Sequence, residues 1–263
     1  MLEAPDADMH YREQLVRLPG TGCCTTPIEL KPAALPELAA DLAKRRGPRF
    51  VIAQTPFKFD PADDALFASI AAAVGECTFI LLHDPQFAWA SDQLIARLSR
   101  AFLDRNLDPK QYLLVLPWLS LEKFYTLLDL CDIYLDCPTF SGYTTAWHAV
   151  HRGLPVITLE GKFMRQRLAA GLLRKIGMTD TIAASTDDYV KIAASLAAEC
   201  RDPLRRDARR NALKNAASQA DHDVSVVRAF EQSMIDALAE RGQHFEFNSA
   251  GQHASNLSNP NNS

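Results

Sequence analysis

The chain has 263 residues, 48% of them hydrophobic and 23% charged, enough for one large or two small domains with an ordinary buried core. Its 28 basic and 32 acidic residues leave a formal net charge of −4, so no overall positive field draws it to nucleic acid or to an anionic membrane. No apolar run reaches the roughly 18 residues a bilayer span needs, and Met1-Leu2-Glu3-Ala4-Pro5-Asp6 lacks the regions of a signal peptide, so the expected location is cytoplasmic, with neither a nucleic-acid nor a membrane partner.

Residues 1–30 read as a linker-like approach segment, with one short apolar run at Leu15-Val16-Arg17-Leu18, the pair Cys23-Cys24, and no complete element. From Arg49 onward, short apolar runs alternate with longer amphipathic ones. That alternation predicts a Rossmann-like α/β domain over residues 31–241, a parallel sheet with helices on both faces. Strands are expected at 50–54, 78–83, 112–116, 133–136 and 155–159, with a weaker sixth at 181–183. Helices are expected at 61–74, 88–106, 121–130, 144–152, 163–176, 186–200, 203–217 and 224–240. Asp60-Pro61 and Ser120-Leu121-Glu122 carry helix-start signals, while Gly153 and Gly177 carry stop signals. Residues 242–263, rich in Asn, Ser, Gly and Gln, are expected to form a disordered tail.

The six cysteines are scattered, and none forms the closely spaced pair of a zinc half-site, so buried thiols and no metal are expected. The chemistry concentrates in Cys131-Asp132-Ile133-Tyr134-Leu135-Asp136-Cys137-Pro138-Thr139-Phe140-Ser141-Gly142-Tyr143-Thr144-Thr145. A short strand there runs through a small-residue turn into a helix whose first turn carries two hydroxyls. First-turn amides have no intrahelical partner and, with the helix dipole, favour a phosphate oxygen. Gly142 lets a ligand approach the backbone, and Thr144 and Thr145 add donors. The same residues also suit ordinary helix capping. Asp136, at the strand end, is expected to cap a nearby turn.

Several segments together resemble the carboxyl-terminal, donor-binding half of the protein O-GlcNAc transferase family and its SPINDLY-like relatives. They are the approach His10-Tyr11-Arg12-Glu13-Gln14-Leu15-Val16-Arg17-Leu18-Pro19-Gly20, the loop Gln54-Thr55-Pro56-Phe57-Lys58-Phe59-Asp60-Pro61, the Gly142 to Thr145 turn, and Glu160-Gly161-Lys162-Phe163-Met164-Arg165-Gln166-Arg167-Leu168-Ala169. The resemblance implies a single carboxyl-terminal-type domain of the GT-B fold, in an inverting glycosyltransferase. Its donor would be a UDP-sugar, UDP-N-acetylglucosamine or a UDP-hexose, and its acceptor a protein Ser or Thr. It implies no cofactor beyond the donor and a preceding acceptor half as partner.

On that resemblance, Lys58 is the catalytic cation facing the leaving diphosphate, and Gln54, Gly142, Tyr143, Thr144, Thr145 and His148 surround the donor. Trp118 offers an aromatic face where relatives place a basic residue near the uracil. Tyr143 stands where the family has histidine, and His148 where it has the acid that grips the ribose. A neutral imidazole cannot supply a two-oxygen grip. Arg165 and Arg167 suit either a contact with a phosphate or the acceptor or a solvated helical face, and His83 and His148 are the guesses for a general base. In a doubly wound sheet the first and fourth strands are neighbours, so Lys58 and the Gly142 turn are expected to converge. A non-catalytic scaffold domain and a nucleotide-sugar epimerase are the alternative readings.

Overall fold

The computed structural model describes residues 2–240. Its sheet has six strands: β1 Arg49–Ile52, β2 Thr78–His83, β3 Leu113–Pro117, β4 Ile133–Leu135, β5 Val156–Leu159 and β6 Ile182–Ala183. They lie in the order β3-β2-β1-β4-β5-β6, and every pairing is parallel. The helices are α1 Pro36–Lys44, α2 Asp64–Val74, α3 Ala88–Leu103, α4 Pro109–Tyr112, α5 Leu121–Leu130, α6 Thr144–His151, α7 Leu168–Lys175, α8 Thr186–Cys200, α9 Pro203–Ala217 and α10 Val224–Glu240.

Alternation along the strands divides the core. Phe50 and Ile52 of β1 pack with α2, α3 and α8, while Val51 and the following Ala53 pack with α1, α5, α6 and α7 on the other face. Both faces are thus covered, which is why β1, β2 and β4 read as continuous apolar runs. Helix starts follow local chemistry. Asp60 Oδ1 accepts from the amide of Ala62, Ser185 Oγ from that of Asp188, and Asp202 Oδ1 from those of Leu204 and Arg205. Ser120 precedes α5 without a side-chain cap bond, so that start owes its stability to packing of Phe124, Leu127 and Leu128. Gly153 ends α6 at φ +72°, where a Cβ would also come within 2.7 Å of the Arg210 carbonyl oxygen.

Several features differ from the sequence expectation, the short α4 at Pro109–Tyr112 among them. Helix 163–176 is broken: a 3-10 turn at Met164–Gln166 is followed by Arg167 at φ −122°, ψ 2°, and only then by α7. The stretch before β1 is not bare, because α1 buries Leu38 and Leu42, one turn apart, and carries Pro36 in its first turn.

The approach segment is also docked onto the domain. It contains a 3-10 turn at Ala7–His10, and Thr21 is buried. The Thr25 hydroxyl donates to the carbonyl of Ala220 at 3.1 Å, and Arg167 Nε donates to that of Leu2 at 2.7 Å. Hydrogen bonds to distant residues hold this strap, and hydrophobic periodicity does not register such bonds. The expected tail at 242–263 lies outside the described residues. No helix among those described is long and apolar enough to cross a membrane.

The consequence for a site is topological. At the β1/β4 boundary the strand order reverses direction, and the loops leaving those two strands lie side by side at the carboxyl edge, the place where doubly wound sheets generally bind their ligands.

Candidate functional site

The two loops meet. Lys58, half-buried after β1, donates from Nζ to the carbonyl oxygen of Ser141 at 3.2 Å, and its ammonium sits 4.8 Å from the centroid of the Phe140 ring. Burial lowers the Lys58 pKa, and the charge of Asp136 opposes that effect. The amino group of Lys58 is thus held at the turn that opens α6.

No side chain caps α6: Tyr143 occupies the cap position at φ −86°, ψ −60° and makes no cap bond. Capping therefore does not account for the two threonines, which lie inside the first turn. The opening amides of α6 have no intrahelical partner. Thr144 is exposed. The oxygen of Thr145 accepts from the Tyr134 hydroxyl at 2.8 Å and from Gln54 Nε2 at 3.2 Å. A hydroxyl has two lone pairs and one hydrogen, so accepting from Tyr134 leaves Thr145 its hydrogen to donate.

Gln54 is a strut in this arrangement. Its Nε2 also lies 2.9 Å from the Tyr134 hydroxyl and 3.3 Å from Asp136 Oδ1, so its two hydrogens are divided among three acceptors and only its carbonyl oxygen is left. Gly142 makes room for the strut, since a Cβ there would come within 2.3 Å of Gln54 Nε2. Its amide points inward, to Asp136 Oδ1 at 2.8 Å, so the Gly142 N–H is not among the groups offered to a ligand.

Tyr143 and His148 are engaged within the protein. The hydroxyl of Tyr143 shares a 3.0 Å hydrogen bond with that of Thr21 on the amino-terminal strap. His148 is buried among Phe124, Tyr125 and Trp147, and its Nδ1 shares a 2.9 Å hydrogen bond with the Tyr125 hydroxyl. Burial, with the charge of His151 adding to it, pushes its pKa down to about 4, so the ring is neutral near pH 7. Trp118 is exposed beyond the end of β3. Because β3 is the edge strand, Trp118 lies three strand spacings from β4, roughly 14 Å along the carboxyl edge.

Of the other candidates, His83 and Arg167 have carboxylate partners. His83, at the end of β2, pairs with Asp92 at 3.0 Å. Arg167 pairs with Glu160 at 2.8 Å, and exposed Arg165 stacks over Phe163 at 4.8 Å. Among the described residues, no group of three or more His, Cys, Asp or Glu is placed to hold a metal ion.

Two residues of this lattice escaped sequence reasoning. Tyr134 reads as one more apolar strand residue, and only its hydroxyl, near the carboxyl end of β4, hints otherwise. Ser141 reads as a turn residue, yet its carbonyl meets Lys58 and its hydroxyl accepts the amide of Ala169 in α7 at 2.9 Å. Asp136 does hold the turn, as expected, and is wholly buried while doing so.

Comparison with known proteins gives a consistent picture. A sequence model described as Glycosyl transferase family 41 matches residues 52–223. The probable UDP-N-acetylglucosamine--peptide N-acetylglucosaminyltransferase SPINDLY of Solanum lycopersicum is 27% identical over 199 residues, 76% of this chain and 21% of that protein. The UDP-N-acetylglucosamine--peptide N-acetylglucosaminyltransferase of Caenorhabditis elegans is 25% identical over 140 residues, 53% of this chain and 12% of its own length. The chain thus spans about a fifth of the SPINDLY protein it matches. Among solved structures, a Thermobaculum terrenum O-GlcNAc transferase mutant aligns with a TM-score of 0.74 at 24% identity, over 91% of this chain and 45% of that one. Anabaena HepE in complex with UDP-glucose aligns at 0.53 and 15%, over 75% and 51%. The two structures share the fold with this chain.

Proposed function

The chain belongs to glycosyl transferase family 41, and from that premise we propose that its crevice binds a UDP-sugar, UDP-N-acetylglucosamine or a UDP-hexose, as donor for an inverting transfer to Ser or Thr of a protein. One observation carries this reading: the Lys58 to Ser141 hydrogen bond, which brings a cation to the uncapped start of α6. A diphosphate seated there meets the ammonium on one side and the helix amides with the Thr145 hydroxyl on the other. The names of the Solanum and Caenorhabditis relatives support a peptide acceptor, and the UDP-glucose of the Anabaena structure supports a UDP-linked donor.

The acceptor oxygen attacks the anomeric carbon from the face opposite the leaving group. The bond from that carbon to the phosphate oxygen breaks, the electron pair departs with UDP, and the acceptor proton passes to a base outside the groups named here. Charge grows on the oxygen that Lys58 and α6 face. Fixed donors of this kind are worth about 3 to 4 kcal/mol each when aimed at developing charge, and in this reading they replace a metal. Residues 31–241 form the donor domain, with the strap packed against it, and the acceptor half comes from another part of a longer polypeptide or from a partner protein.

A second reading, a binding or scaffold domain without catalysis, is favoured by the internal engagement of Tyr143 with Thr21 and of His148 with Tyr125. Titration of the full chain with UDP while following its melting temperature separates the two. At 100 times its dissociation constant UDP adds about 2.7 kcal/mol of stability, and Lys58→Ala should abolish most of that rise. No rise at millimolar UDP, or an equal rise in Lys58→Ala, would leave the scaffold reading standing.

A further inference from the structure

Asp136 has no exposed surface, so it touches no ligand, yet it is a carboxylate placed where β4 runs into the turn. It accepts hydrogen bonds from four donors: the amide of Gly142 at 2.8 Å, the hydroxyls of Ser141 at 2.5 Å and Thr158 at 2.8 Å, and Gln54 Nε2 at 3.3 Å. Gln54 belongs to the loop after β1, Ser141 and Gly142 to the turn before α6, and Thr158 to β5. Ser141 extends the network, with its hydroxyl accepting the Ala169 amide of α7 and its carbonyl receiving Lys58. Lys58 and the openings of two helices are therefore referred to one buried carboxyl group.

The choice of residue is informative. Burying a carboxylate is costly unless donors surround it, and two of the four donors here come from outside the turn, from Gln54 and Thr158. Asn has a single acceptor oxygen and two N–H donors, so it cannot receive four donors at once. We propose that Asp136 is the positioning residue of the donor site, holding the Ser141-Gly142 turn and the Gln54 amide so that Lys58 and the α6 amides face one diphosphate. The proposal deepens, and rests on, the reading of this crevice as a nucleoside diphosphate site.

The test uses the full chain with Asp136→Asn and, as a control for lost stability, Leu98→Ala, which opens a cavity at a buried residue of α3 on the far face of the sheet. UDP affinity is read by calorimetry, and exchange of the Gly142 amide is read relative to that of Val51 in β1. Asp136→Asn should weaken UDP at least tenfold and raise the exchange ratio at least tenfold, while Leu98→Ala leaves both within twofold. Unchanged affinity and exchange ratio in Asp136→Asn overturn the proposal, as does an equal loss of both in Leu98→Ala. Should Asp136→Asn fail to fold, Thr158→Val and Ser141→Ala each remove one donor, and each should cost UDP affinity at least threefold; wild-type affinity in both overturns the proposal. If the wild-type chain itself does not bind UDP, the nucleotide reading falls and the exchange ratio alone decides whether Asp136 holds the turn.

Discussion

Tyr134 donates its hydroxyl hydrogen to Thr145 Oγ1 over 2.8 Å, from a ring with no exposed surface. This bond joins the middle of the sheet to the first turn of α6, and with Gln54 it fixes which way the Thr145 hydrogen points. Tyr134→Phe keeps the ring and deletes only the hydroxyl. Net hydrogen bonds of this kind contribute about 1 kcal/mol, so UDP affinity should fall by roughly fivefold, with the circular dichroism spectrum unchanged. Calorimetry showing wild-type affinity in Tyr134→Phe would mean that Thr145 is not oriented for the ligand by this bond.

Gly142 and Gln54 should prove energetically coupled. A Cβ at residue 142 would meet Gln54 Nε2 at 2.3 Å and Thr145 Oγ1 at 2.7 Å. Gly142→Ala should therefore cost about 1 to 3 kcal/mol, the usual range for overpacking. In a Gln54→Ala background most of the obstruction is gone, and the cost should shrink by at least about 1 kcal/mol, a coupling of the size seen between contacting residues. Denaturant unfolding of the four members of the cycle measures it. Strictly additive losses would show that the glycine is not there to admit Gln54.

These two tests address the part of the site that local sequence could not disclose. The strands and the long helices α8, α9 and α10 were legible because apolar runs and residues such as Ser185 and Asp202 act within a few positions of themselves. The meeting of Lys58 with the Gly142 turn was also legible, because the order of elements in a doubly wound sheet places β1 beside β4. Gln54 and Thr145 are 91 positions apart, however, and Thr21 and Tyr143 are 122 apart. Nothing in either neighbourhood marks the partner. A tyrosine in a small-residue turn before a helix invites a ligand role, and only the fold reveals that its hydroxyl is bonded to Thr21 of the strap.

The buried carboxyl group of Asp136 gives a pH signature. Burial raises its pKa from 3.8 to about 6, against the opposing hydrogen bonds of Ser141, Gly142 and Thr158 and the charge of Lys58. Between these values the folded chain holds a proton that the unfolded chain has released. The stability this group contributes is full below pH 3.8 and is lost as pH rises through about 6, a change on the order of 3 kcal/mol. Wild type should therefore gain on Asp136→Asn as pH falls from 7 to 4, measured as the difference between their unfolding free energies. A flat difference, or one of opposite sign, would show that the carboxyl group titrates as an ordinary acid.

His148 works against Asp136 over the same window. Its pKa is pushed from 6.5 down to about 4, first by burial and then by the charge of His151, so the unfolded chain takes up a proton that the folded chain refuses. Stability from this residue is present above pH 6.5 and is lost as pH falls through about 4, again on the order of 3 kcal/mol. The two contributions nearly cancel in the wild type, and single variants uncouple them. His148→Gln, which keeps a polar partner for Tyr125 and does not titrate, should gain stability relative to wild type as pH falls from 6.5 to 4. Asp136→Asn should do the reverse. If both variants follow the wild-type curve in parallel, neither buried group carries the shifted titration.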